Sequence, residues 1–234
     1  MKIEKTIGLL LVVGAIGVFI PYLILTMTFE YPGILRQDSG IILTKFYDGG
    51  SSLIFTWWAF AILGLPLLVA YILIGQNLEN RLGFIRWVTT IGVISGIVQI
   101  IGLLRWVFVV PVIANSYVTS GNVATKEAAI ISFQTIHQLG GVLLGEHIGQ
   151  LFTIIWTIMI SVAFIKLKYF PKWLSWLGII SSIIYLFAQS ELFATVIPGF
   201  PVWNMARFIG STLWLIWLII TGIMFLKSKL SLDK

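Results

Sequence analysis

The sequence predicts an all-α, polytopic membrane bundle of six transmembrane helices, and three observations predict it. Of 234 residues, 59% are hydrophobic and only 10% charged, with a mean hydropathy of +1.02, far more apolar surface than a soluble core of this length needs. Uncharged runs cover residues 6 to 29, 49 to 78, 87 to 104, 106 to 125, 128 to 145, 148 to 165, 173 to 190 and 208 to 226, each near or beyond the length of a span. Lysine and arginine fall unevenly on the connections between them.

Joined into helices, the runs give spans of 6 to 28, 52 to 75, 86 to 113, 142 to 166, 172 to 192 and 204 to 227 in one transmembrane domain covering residues 1–234. The first run follows Lys2 and Lys5, but it is long for a signal sequence and lacks a small-x-small cleavage site, so it reads as an uncleaved first helix. With the N-terminus inside, the cytoplasmic side holds Lys2, Lys5, Arg81, Arg86, Lys166, Lys168, Lys172, Lys227, Lys229 and Lys234. The outer side holds Arg36, Lys45 and Lys126, a ratio of ten to three that places both termini in the cytoplasm of a cell-membrane protein. The net charge of +6 then reflects a membrane address and attraction to anionic lipid, with no basic, aromatic-interleaved soluble segment to take nucleic acid.

The first external connection, residues 29 to 51, is unusual. Ile34, Leu35, Ile41, Ile42 and Phe46 fall on one helical face between Pro32 and Gly49-Gly50, which predicts a short interfacial helix that rests on headgroups or covers what lies beneath it. Thr125-Lys126-Glu127 predicts a second external helix, 126 to 139, with a break at Gly140-Gly141 before the fourth span. Gly141, Gly145 and Gly149 form a stripe that another helix can approach closely. The ten tryptophans, among them Trp57, Trp58, Trp87, Trp106, Trp173, Trp176 and Trp203, sit mostly near span ends and read as aromatic belts.

Composition excludes several chemistries. Without cysteine there is no disulfide exchange, iron–sulfur ligation, thiolate catalysis or cysteine-held metal. Two histidines cannot build a multi-histidine metal cluster, and no phosphate loop or dinucleotide fingerprint points to a nucleotide.

Four ionisable residues lie within the apolar sequence. Arg105 follows Arg86 by 19 residues, Glu191 follows Lys172 by 19, Glu146 precedes Lys166 by 20 and Arg207 precedes Lys227 by 20. At about 1.5 Å per residue, each charge sits roughly 28–30 Å from its basic border, so all four meet one level near the outer face. Charges at membrane depth are costly, are usually paired and mark sites. Arg105, Glu146, His147, Glu191 and Arg207 are therefore the candidate ligand-binding residues. Arg105 has three roles open to it: pairing with a glutamate, reaching a headgroup, or binding a ligand's anionic group. Glu146 has Arg105 or Arg207 as candidate partners. On an unbroken α-helix His137 and Glu146, nine apart, lie half a turn off face, and Glu146 and His147 diverge by about 100°. Metal binding through His137, Glu146 and His147 would need a bend and is not favoured.

The segment Phe29-Glu30-Tyr31-Pro32-Gly33-Ile34-Leu35-Arg36 with Phe46 and Gly49-Gly50, the run Arg105 to Pro111, and the block Gly145-Glu146-His147-Ile148-Gly149 resemble the recurring features of a bacterial six-helix integral membrane family, a domain of unknown function. That resemblance implies a membrane protein and brings no activity, substrate or cofactor with it. The residues favour a protein of unknown function that binds a lipid or other small amphiphile in a polar pocket in the extracytoplasmic half. The alternatives are a membrane-embedded enzyme facing outward, with Glu146, His147 and Glu191 as catalytic candidates, or a charged level that is purely structural.

Overall fold

In the computed structural model, which describes residues 3–228, the chain is helical and no strand occurs among the described residues. The helices are α1 (Ile3–Phe29), α2 (Ser39–Ile62), α3 (Leu65–Leu78), α4 (Ile85–Phe108), α5 (Val110–Thr119), α6 (Val123–Ile136), a π-helix (His137–Ile148), α7 (Gly149–Lys166), α8 (Lys172–Phe187), α9 (Gln189–Ala194) and α10 (Ala206–Lys227), with a 3-10 turn at Gly33–Arg36. They run together into six stretches long and apolar enough to cross a membrane: Ile3–Phe29, Ser39–Leu78, Ile85–Thr119, Val123–Lys166, Lys172–Ala194 and Ala206–Lys227. Lys2, Lys229 and Lys234, counted in the charge asymmetry, lie outside the described residues.

Three expected boundaries shift, each for a local reason. The interfacial helix is present, but it is the first half of α2: Asp38 caps its start by accepting from the Gly40 N–H at 2.8 Å. The two halves meet at Gly50, whose φ of 54° and ψ of −153° only glycine adopts readily. Because Ile34 and Leu35 lie in the 3-10 turn and not in α2, the expected face changes phase. Ile34, Leu35, Ile42, Leu43 and Phe46 are buried, and Ile41 is turned outward. The connection expected between the third and fourth spans shrinks to residues 120–122, since Pro111 breaks α4 and starts α5, which continues to Thr119. Asn122 then caps α6 through Ala124 N–H at 2.9 Å, so α6 begins at Val123, three residues before the expected 126.

The described chain packs as two compact units. One comprises residues up to Ala15, Leu65–Ile97 and the chain from Gly149 onward. Its α8 lies against both α7 and α10, and polar side chains tie the helices together. Ser95 donates to the Gly149 carbonyl at 2.7 Å and meets Thr153 Oγ1 at 2.7 Å, and Trp214 Nε1 donates to Thr157 at 3.0 Å. Such bonds suit an apolar surrounding in which packing and interhelical hydrogen bonds hold helices together. In the connection between α7 and α8, the Tyr169 hydroxyl accepts from Asn77 of α3 at 2.9 Å, and burial pushes that phenol above its ordinary range.

The other unit comprises Ile16–Gly64 and Val98–Ile148. Its core is aromatic. Trp57 and Trp106 stack with ring centroids 4.9 Å apart and planes 11° apart, and Phe29, Phe46, Tyr31 and Phe133 pack edge-on or tilted around them. Both tryptophans are fully buried. This corrects their assignment to an aromatic belt, whereas Trp58, Trp87, Trp173, Trp176 and Trp203 are exposed as belt residues are.

Candidate functional site

Arg105 lies in the last turn of α4, one residue before the core tryptophan. The residue is only 8% exposed. Its Nη1 donates to the Gly102 carbonyl, its Cζ sits 5.1 Å from the Trp106 ring centroid, and its Nη2 is 3.5 Å from His137 Nδ1. Its Nε has no hydrogen-bond partner among the described residues. A guanidinium can only donate, so a hydrogen bond between the two requires a neutral His137 ring with its proton on Nε2. The ring stacks on Phe133 at 5.4 Å and interacts with the Leu35 backbone.

Glycine makes room for the guanidinium. A Cβ on Gly141 would stand 2.5 Å from Arg105 Nη2 and 2.8 Å from its Cζ. One turn below, α4 and the π-helix touch backbone to backbone, where a Cβ on Gly102 would meet the Gly140 carbonyl at 2.8 Å. The glycine stripe therefore does two things: Gly140 and Gly145 admit a helix, and Gly141 admits a charged side chain.

The segment His137–Ile148 does not bend at Gly140-Gly141 as expected; it changes winding. A π-helix bonds i to i+5 and takes about 4.4 residues per turn, so nine residues make about two turns. His137 and Glu146, on opposite faces of an α-helix, consequently share a face here. Adjacent His147, half-buried, still diverges from Glu146 by about 80°. Among the described residues no three His, Asp or Glu side chains gather as a metal set. The guanidinium beside His137 Nδ1 also opposes a cation at that nitrogen.

Glu146 meets a partner the sequence reading had set apart. Its Oε2 accepts from Arg36 Nη2 at 2.7 Å, with the side chains 12% and 24% exposed. Arg36 ends the 3-10 turn, whose Ile34 and Leu35 are anchored in the aromatic core, so the connection between α1 and α2 contributes a charge to the site. Glu146 thus bonds Arg36, which was not among the partners expected for it from the sequence. The available signal for Arg36 was its place directly after two apolar residues on the covering segment.

In the other unit Arg207 Nε lies 3.1 Å from Glu191 Oε2, an ion pair whose N–H is turned off the line of a hydrogen bond. Beside Glu191 in sequence, Gln189 donates to Gln150 Oε1 at 2.9 Å, both side chains being buried.

A family model described as Domain of unknown function (DUF4386) matches residues 6–222. No curated protein and no solved structure matches the chain.

Proposed function

The chain belongs to the DUF4386 family, a domain of unknown function, and we propose that this helical membrane protein binds the anionic end of a lipid or other small amphiphile at Arg105. The observation that carries the proposal is a buried guanidinium: Arg105 is 8% exposed and its Nε has no hydrogen-bond partner among the described residues. A charge at membrane depth is expensive unless compensated, and an anion accepting from Arg105 would supply the compensation. The apolar chain of such a ligand would lie along aliphatic and aromatic side chains, as in most small-molecule sites. Arg36, the most open of the three charged side chains, marks the way in.

Native mass spectrometry of gently purified protein tests this. The wild type should retain an anionic amphiphile that Arg105→Gln loses, with His147→Ala behaving as wild type. A wild type that retains nothing, or an Arg105→Gln variant that retains the same molecule equally, overturns the proposal in favour of a structural network.

We place the site in the extracytoplasmic half, on the lysine and arginine asymmetry. With no native cysteine, a single cysteine replacing Ser120 reports the side directly. It should react with an impermeant maleimide added outside intact cells, and reaction only after access from the cytoplasm would reverse the orientation.

A further inference from the structure

We infer that water is bound within the unit that holds α7, α8 and α10, at the place where the Trp217 indole N–H and the Ser161 hydroxyl meet beside Gly178. Both side chains are completely buried, and neither Trp217 Nε1 nor Ser161 Oγ has a hydrogen-bond partner among the described residues. They converge on one point. A Cβ on Gly178 of α8 would stand 2.5 Å from the Ser161 oxygen of α7 and 2.7 Å from the Trp217 nitrogen of α10. The two polar atoms are therefore no more than about 5 Å apart, a span that two hydrogen bonds through one water molecule cover.

The surrounding groups have the same need. Trp156 Nε1 and the hydroxyls of Ser175, Ser182 and Thr221 are also buried without a hydrogen-bond partner among the described residues, and the Trp156 ring centroid lies 6.0 Å from that of Trp217. Helical spacing puts Ser175 and Ser182 on the Gly178 face of α8, and Thr221 on the Trp217 face of α10. A hydroxyl can turn to a carbonyl of its own helix, as Ser181 does to Gly178 at 2.9 Å, but an indole N–H is fixed by its ring and only donates. Trp156 and Trp217 thus need an acceptor from elsewhere, since an unbonded N–H inside an apolar bundle is costly. A nearby indole has one: Trp214 Nε1 donates to Thr157 at 3.0 Å. Water suits the rest, because its oxygen accepts from an indole while its hydrogens donate to hydroxyl oxygens. None of the six groups is charged at ordinary pH, so an ion finds no counter-charge among them.

The route in follows from their places along the chain. Ser175 stands three residues after Lys172, Ser161 five before Lys166 and Thr221 six before Lys227, so these hydroxyls lie within about two turns of the basic border. Trp156, Ser182 and Trp217 lie deeper, each ten residues from the same three lysines. The polar groups form a wet column that enters from the basic end.

X-ray radiolysis of the full chain in lipid nanodiscs, read by mass spectrometry, tests this, because radicals made from bound water oxidise the side chains beside it where bulk solvent does not reach. Trp217 should be oxidised although fully buried, as should exposed Trp173, while Phe29, equally buried among aromatic rings, stays unmodified. Ser161→Ala with Thr221→Val removes two of the hydroxyls and should lower Trp217 oxidation severalfold with Trp173 unchanged. Trp217 left unmodified in a wild type whose Trp173 is oxidised overturns the inference. So does Phe29 oxidised as fast as Trp217, or Trp217 oxidation that the double variant leaves as it was, since either would report opening of the helices and not bound water. The wild-type comparison of Trp217 with Phe29 decides the matter even if the double variant does not fold.

Discussion

Trp106→Ala is expected to destabilise the solubilised protein by about 3–5 kcal/mol, the usual range for removing a fully buried large aromatic. The indole is completely buried and stacked on Trp57 at 4.9 Å. It also touches Phe29 at 5.5 Å, Phe46 at 5.4 Å and Phe133 at 6.0 Å, and its face meets Arg105. In an apolar medium the loss is chiefly one of packing, because helices there are held by close contact more than by exclusion of water. These four ring neighbours belong to α1, α2 and α6, so no single helix can move in to close the space. Trp173→Ala, at an exposed belt position, is the control and should change stability by no more than about 0.5 kcal/mol. Denaturant titration of the two variants in the same detergent makes the comparison. A loss below about 1 kcal/mol for Trp106→Ala would mean that the aromatic cluster is not the core of its unit.

The second large effect belongs to the pair 110 residues apart in sequence, Arg36 and Glu146. Glu146→Gln removes the carboxylate bonded to the part-buried Arg36 guanidinium and should cost about 3 kcal/mol or more. Arg36→Gln should cost less, about 2 kcal/mol, because Arg105 remains to face the carboxylate. The double replacement should cost less than the two added together, by at least about 1 kcal/mol. The Lys45–Glu30 pair provides the contrast: with the Glu30 side chain 62% exposed, its cycle should show coupling near zero. Strict additivity for Arg36 and Glu146 would mean that they do not meet in the folded protein.

These two effects differ in how far the sequence foretold them. Apolar length alone located all six spanning stretches, since no other arrangement satisfies so much uncharged backbone. Distance from a basic border likewise singled out Arg105, Glu146, Glu191 and Arg207, and Arg207 does meet Glu191. The partner of Glu146 was not legible, because spacing along a helix says nothing about a contact made by a distant turn. The relation of His137 to Glu146 was concealed for a different reason: a period of 3.6 was assumed through a segment that winds with i to i+5 bonds. Four glycines within Gly140–Gly149 were visible, yet they are as compatible with a tight helix crossing as with a change of winding. Trp57 and Trp106 were misplaced because position near a span end is shared by belt residues and by residues that turn inward. Only the neighbouring Phe29, Phe46 and Phe133, gathered from three other helices, decide the direction.

The most direct test of anion recognition at Arg105 is an experimental structure in lipid nanodiscs, determined with a dodecanoate analogue brominated on its chain so that the bound molecule is located without ambiguity. The carboxylate should lie within hydrogen-bond distance of Arg105 Nε, with Arg36 still joined to Glu146 and the brominated chain against apolar side chains of the same unit. Bromine found only at the lipid-facing surface, with Arg105 enclosed by protein groups alone, would contradict ligand binding there and leave the charges as a structural network.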